Sequence, residues 1–325
     1  MITPYEQDIQ DQPESLRAFA TAPAVAGLEE LRQGYDRIVL TGMGTSHFAG
    51  LPTWRALARR GWPAWWLDTT QLLDTADLVT PGTLLVVTSQ SGRSAEVVAL
   101  CDGRPRSTLV AVTNDGASPL ARAADLVVPL HSGAEATVST KSYLNSLAAH
   151  GVILAALLGQ PAGPARAAAA PVADALAAWL DGPDPAVGTA GSRLAMIGVG
   201  DQLASALTGA LIIQEAAKVP AQAYTAGQFR HGPLELAGPG LTALLFDDPA
   251  SAANDLGRLH RDLVATGATV IDVALPPAGG PAELPPLGPL VAGAVAVQRF
   301  SVALARAHGV VPGDFRYGSK VTDVR

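Results

Sequence analysis

A single cysteine, Cys101, is present in 325 residues, which excludes an intrachain disulfide and a thiolate metal cluster and fits a reducing compartment. Lysine is almost as scarce: of 22 basic residues only Lys141, Lys218 and Lys320 are lysines. A GC-rich genome accounts for the arginines. The three retained lysines are compact amines able to lose a proton, and each is a candidate for chemistry that arginine cannot perform. Charged residues make up only 16% of the chain. Their balance, a net charge of −7, argues against nucleic acid or an anionic membrane as the main partner. The first nineteen residues carry acids where a leader needs a basic and then an apolar region. The apolar stretch 151–159 is too short to span a bilayer. The expectation is a soluble, cytoplasmic protein with no metal and no cofactor.

Apolar side chains are plentiful, at 48%, so the chain is globular rather than disordered, and its length suits two domains. The segments RIVLTGMG (37–44), WPAWWLD (62–68), TLLVVTSQ (83–90), STLVAVTND (107–115) and ADLVVPLH (124–131) read as five strands separated by helical sequence. Such runs, buried on both faces, imply a parallel sheet covered on both sides. A long helix follows, over about 142–158. GQPAGP (159–164) reads as a linker, and the pattern then restarts with the strand RLAMIGVG (193–200) and further strands LTALLFDD and TVIDVALP. A last helix is expected over 287–308, before the tail VVPGDFRYGSKVTDVR. TGMG and IGVG lie about 156 residues apart, each ending a strand before a helix, which marks an internal repeat. In such sheets ligands bind outside the carboxyl ends of the strands.

Ser89, Gln90, Ser91, Gly92, Arg93 and Ser94 fall between a buried strand and a helix start. Three hydroxyls, an amide, free backbone N–H groups and the positive end of a helix would converge there, as a bound phosphate requires. Ser91 or Ser94 acting only as a helix cap is the plainer alternative. Gly42-Met43-Gly44-Thr45-Ser46 places two more hydroxyls at a strand end. Ser139-Thr140-Lys141 opens the long helix, where Lys141 serves either a ligand or an interface. Glu215 lies in the apolar run LTGALIIQEAA, where a carboxylate is costly unless partnered or used. Desolvation would raise its pKa toward the range of a proton shuttle; a buried ion pair with Lys218 is the competing role. His231, in the loop of AGQFRHGP, is either an anchored catalytic group or a surface residue. The basic tail around Arg316–Lys320 is either functional or frayed.

In this order the pieces GTS, SQSG-x-[ST], STK, a helical Glu followed by AGQFRHGP, and a terminal Lys resemble the double sugar-isomerase (SIS) family. The likeness is to the isomerase half of glucosamine-6-phosphate synthase and its stand-alone deaminase, isomerase and deglycase relatives. It implies an α/β fold of two tandem SIS domains, each a flavodoxin-like parallel five-stranded sheet sandwiched by helices. Residues 1–160 would form an N-terminal arm and the first domain, 161–311 the second, and 312–325 a tail closing over the active site. Thr45, Ser46, Ser89, Gln90, Ser91 and Ser94 would bind the phosphate, with Ser139 and Ser319 approaching the sugar. Glu215 would move a proton between C1 and C2, His231 would assist ring opening from a neighbouring subunit of a homodimer, and Lys320 would engage the open-chain carbonyl.

The sequence departs from that pattern where Gly209-Ala210-Leu211-Ile212-Ile213-Gln214-Glu215 lacks the two lysines of the synthases, the first at Ile212. The expected function is a phosphosugar isomerase or deaminase acting on a hexose or aminohexose 6-phosphate. A fructosamine-6-phosphate deglycase is the alternative enzyme, and a non-catalytic phosphosugar sensor is the alternative from another class.

Overall fold

The computed structural model describes residues 2–32, 34–104, 106–183, 193–252, 255–276 and 283–320. Two helices lead the chain, α1 (Pro4–Gln10) and α2 (Gln12–Thr21). Thr3 and Glu6 form a capping box at the start of α1, each side chain satisfying the other's orphan N–H. The first sheet then builds from β1 (Arg37–Gly42), α3 (Thr45–Ala49), α4 (Leu51–Arg59), β2 (Ala64–Asp68), α5 (Thr69–Asp74), β3 (Thr83–Thr88), α6 (Ala95–Gly103), β4 (Thr108–Thr113), α7 (Pro119–Ala123) and β5 (Leu126–Pro129). Every pairing is parallel and the strand order is β2-β1-β3-β4-β5, the flavodoxin-like order. All six residues of β3 are buried, as expected of a central strand covered on both faces.

Helix α8 (Lys141–Leu157) leaves this sheet and, with α9 (Ala162–Ala167) and α10 (Ala169–Leu180), leads to a second one. That sheet is built from β6 (Arg193–Gly198), α11 (Leu203–Ala217), β7 (Ala221–Thr225), α12 (Ala226–Arg230), β8 (Leu241–Phe246), α13 (Leu256–Ala265) and β9 (Thr269–Asp272), and α14 (Leu287–Ala307) closes it. Its order, β7-β6-β8-β9, repeats the first four positions of the first sheet, again all parallel. The expectation of five strands in the second unit is therefore corrected to four among the described residues. The expected linker is corrected too, because half of GQPAGP lies inside α9.

The largest core cluster belongs to neither sheet alone. It runs from Tyr5 and Phe19 of the arm through α8 to Ile212 and Ala216 of α11 and Val291 and Val302 of α14. Each fully buried leucine, valine or isoleucine there is worth about 1.5–3 kcal/mol, so the two units and the arm are held by one shared apolar layer. Helix α14 is, by length and composition, long and apolar enough to cross a membrane, which the apolar stretch 151–159 is not; most of it is buried here as a core helix. Lys141 is also explained by this layer. Its ammonium, almost wholly buried, lies 2.8 Å from Asp8 of α1, so it ties α8 to the arm.

Candidate functional site

The segment after β3 is held as a rigid loop. Gln90 O accepts from Asn114 N at 3.0 Å and Thr113 Oγ1 at 3.2 Å, which docks the loop on the end of β4. Gly92 N donates to Ser89 Oγ at 3.1 Å. Gly92 has φ +60° and is pressed against Ser118: a Cβ there would lie 2.2 Å from the Ser118 hydroxyl. Only glycine meets both demands. Ser91 Oγ accepts from Arg93 N, while the Arg93 guanidinium is drawn aside to Asp115. Ser94 occupies the N-cap position of α6 but its side chain makes no capping hydrogen bond. The hydroxyl and the first N–H groups of α6 thus remain available to an anion, and the capping alternative fails at this residue.

A neighbouring loop carries Thr45, buried, and Ser46, half-buried, at the start of α3. The loops after β1 and β3 leave adjacent strands at the point where the strand order reverses, the ordinary ligand crevice of such sheets. Gly44, at φ +53°, faces Leu211 of α11, whose Cδ2 is 3.4 Å from the position of a Cβ. Leu211 and Glu215 are four residues apart and share a helix face, so the face of α11 that meets the Gly44–Ser46 loop also carries Glu215.

Glu215 is half-buried. Burial pushes its carboxyl up to about 7, against the opposing charges of Lys320 and Lys218 and with the added repulsion of Glu135. The proposed Lys218 ion pair is not formed. Lys218 instead closes the C-terminus of α11 in the left-handed conformation, donating to the Glu215 main-chain carbonyl and lying over the Phe315 ring. Among the described residues no hydrogen bond or ion pair engages the Glu215 carboxylate.

Glu135 completes the arrangement, and sequence reasoning gave it no role. Its side chain is fully buried. Oε1 accepts from Thr140 N, Thr140 Oγ1 and Ser142 N, each at 2.9 Å, and Oε2 from Ser142 Oγ at 2.7 Å and Lys320 Nζ at 2.6 Å. Burial alone would raise its pKa; the Lys320 charge and these bonds outweigh that and hold it below the usual carboxylate range. Ser139 joins the same chain through Ser142, Oγ to Oγ at 3.1 Å. A signal was present in the sequence: an acidic residue shortly before a helix start is placed to accept the helix's unpaired N–H groups.

The tail is pinned rather than frayed. Gly313 N donates to Ala216 O at 3.3 Å, Thr137 Oγ1 donates to Gly313 O, and Gly313 is pressed against Tyr5. Tyr5 is itself buried, its hydroxyl 3.0 Å from Ser301 Oγ. Ser319 is exposed beside Lys320, and residues 321–325 lie outside the described residues. Glu215, Glu135, Lys320 and Ser139 are therefore gathered from both units and the tail. His231 is not brought to them in this chain. It lies, as expected, in the turn that follows α12, and its side chain is exposed. Ile212, where the resemblance expects a lysine, is fully buried in the shared core.

Residues 31–156 match the model of the SIS domain. The chain contains an SIS domain. It is 32% identical over 299 residues to the glutamine–fructose-6-phosphate aminotransferase (isomerizing) of Symbiobacterium thermophilum, across 82% of this chain and 48% of that protein. The chain spans about half the length of the curated relatives it matches. In fold it is similar to the C-terminal domain of glucosamine-fructose-6-phosphate aminotransferase from Francisella tularensis (TM-score 0.80, 18% identity, 97% of this chain and 99% of that one). It is also similar to glucosamine-6-phosphate deaminase from Thermotoga maritima (TM-score 0.76, 21% identity, 98% and 99%). The SIS domain comprises the first sheet with both hydroxyl-bearing loops and most of α8; Glu215 and Lys320 lie beyond it.

Proposed function

We propose that this chain is a phosphosugar isomerase or deaminase that acts on a hexose or aminohexose 6-phosphate by aldose–ketose proton transfer. The observation that carries this reading is the Glu215 carboxylate: raised to about 7, free of partners among the described residues, and beside the Lys320–Glu135 pair. A general base works best when its pKa lies near the working pH. The name of the curated relative, with fructose 6-phosphate as its sugar and isomerisation as its chemistry, supports the substrate class.

In this reading Ser89, Gln90, Ser91 and Ser94, with Thr45 and Ser46, hold the phosphate, and Ser139 and Ser319 hold sugar hydroxyls. Glu215 removes the C2 proton of the open-chain aldose and returns it to C1. The ammonium of Lys320 faces the charge that develops on the carbonyl oxygen. For an aminohexose the product is a ketimine, which water hydrolyses to the ketose and ammonia. The common strand order of the two sheets supports a tandem pair of SIS domains, with the site between residues 1–160 and 161–311 under a tail of 312–325. The exposure of His231 suits a role in ring opening in a second copy's site, in a cytoplasmic homodimer.

The test is a panel of hexose 6-phosphates and 2-amino-2-deoxyhexose 6-phosphates incubated with the protein in deuterated water, with C2 deuteration read by NMR. Exchange with at least one is expected. Tight binding without exchange for every member would replace the enzyme with a phosphosugar sensor.

A further inference from the structure

The Glu135 carboxylate accepts five hydrogen bonds, and its two oxygens divide them. Oε1 takes Thr140 N, Thr140 Oγ1 and Ser142 N, all at the start of α8. Thr140 stands at the N-cap position but makes no side-chain capping bond of its own, so Oε1 caps the helix in its place. Oε2 takes Ser142 Oγ and Lys320 Nζ. The capping bonds need one neutral acceptor, which a glutamine also offers. The second oxygen and the negative charge answer to Lys320.

The tail reaches that oxygen along a fixed path. Gly313 is bonded to Ala216, the neighbour of Glu215 on α11, and to Thr137, two residues after Glu135. Phe315 lies beneath the Lys218 ammonium. Lys320 ends the path, its side chain 24% exposed against 0% for Glu135. A lysine is a point charge on a flexible stem and settles on whatever acceptor is offered. The other carboxylate that feels the Lys320 charge is Glu215. An ion pair between those two would occupy the base that proton transfer requires.

We infer that Glu135 is a positioning residue for the proton transfer: it holds the Lys320 ammonium off Glu215 and at a fixed point, leaving the base unpaired and the cation aimed at the substrate's carbonyl oxygen. This rests on the isomerase or deaminase reading above. Fully buried, Glu135 touches no substrate; it acts through Lys320, and through Ser142 on Ser139, 3.1 Å apart Oγ to Oγ. The groups that act on Glu215 are Lys218 at the end of its own helix, Lys320 of the tail and Glu135 before α8, with the neutral Tyr5 of α1 beside them. Glu135→Gln removes the repelling carboxylate and releases Lys320 toward Glu215. Both changes favour the ionised base, so the acid limb of the pH–rate profile moves to lower pH.

The test measures C2 deuteration of a hexose or aminohexose 6-phosphate across pH in the full chain. Glu135→Gln should lose about 10²-fold in exchange, the scale of a reacting group displaced by an ångström. Its sugar-phosphate affinity should stay within about threefold of wild type, and its acid limb should move down, which a loss of folded protein alone would not cause. Lys320→Met should lose at least as much, and adding Glu135→Gln to it should cost little more, because the two act as a unit. An unmoved acid limb, or losses that multiply in the double variant, would overturn the inference. Glu135→Asp keeps the charge on a shorter arm and decides the matter should Glu135→Gln not fold. It should lose about tenfold with its acid limb in place, and a wild-type rate would overturn the inference. Absence of exchange by the wild type defeats the proposed function instead. Carbon-13 NMR titration of the Glu215 carboxyl without sugar then reads the placement directly: a lower titration in Glu135→Gln than in wild type supports it, and an equal one overturns it.

Discussion

Lys320 Nζ donates a 2.6 Å hydrogen bond to Glu135 Oε2 across 185 residues of chain, so the last described residue of the tail closes on a buried carboxylate of the first unit. Breaking this pair leaves Glu135 buried but still bonded to Thr140 and Ser142. Lys320→Met should therefore cost about 1–3 kcal/mol at neutral pH rather than unfold the chain. Glu135 has a folded pKa below its unfolded value of 4.5. The stability it contributes is present above that value and is lost as pH falls through the lower, folded one. The deficit of Lys320→Met relative to wild type should thus shrink in acid denaturation series below pH 4.5; a deficit that is constant with pH would remove the pair from the account.

Glu215 makes the opposite case. Its folded pKa, about 7, lies above the unfolded 4.5, so the folded state binds the extra proton and wild-type stability declines as pH rises from 4.5 through 7. Glu215→Gln should match wild type near pH 4 and exceed its melting temperature at pH 8. A variant less stable than wild type at pH 8 would mean that the carboxylate is engaged after all.

At the anion loop, Ser91→Ala should weaken phosphosugar binding about tenfold, the loss of one charge-assisted hydrogen bond. Gly92→Ala should do worse. A methyl at φ +60° meets the Ser118 hydroxyl and Cβ, so the loop must shift, at about 1–3 kcal/mol in stability. Calorimetry with glucose 6-phosphate and glucose separates these effects, and equal affinity for the two sugars would contradict an anion site here.

How much of this was legible in the sequence depended on the range of the interaction. The five strands of the first sheet were readable because each is a local apolar run, and the strand-to-helix position of Ser89–Ser94 followed from them. Strand β7 (Ala221–Thr225) was missed: it is an edge strand with only Ala221 buried, so it lacks the apolar run that marked the others. Glu215 was singled out because a carboxylate in an apolar helix is locally anomalous. Glu135 was not: its bonds to Thr140 and Ser142 are local and were overlooked, while its pairing with Lys320 comes from 185 residues away. Lys218 shows the reverse error: its spacing of three from Glu215 suggested an ion pair, but the left-handed turn at the helix end points its amine to a carbonyl.

Lys141, the third lysine, tests whether scarcity implies chemistry. Its side chain and that of Asp8 are both almost inaccessible, and removing one partner of a buried pair costs about 3–5 kcal/mol. Lys141→Met should lower the urea midpoint accordingly. At temperatures where the variant remains folded, its proton-exchange rate should match the wild type; a large loss of rate there would give Lys141 a role in the reaction.

The most direct measurement compares wild type with Glu215→Gln for deuterium incorporation at C2 of whichever hexose or aminohexose 6-phosphate the wild type exchanges. The variant keeps the shape and hydrogen bonding of the side chain but lacks the base. Its exchange should fall by about 10²–10⁴, while its calorimetric affinity for the same sugar phosphate stays within about threefold of wild type, one hydrogen bond's worth or less. Exchange by Glu215→Gln at the wild-type rate would contradict the proton-transfer role on which the proposed function rests.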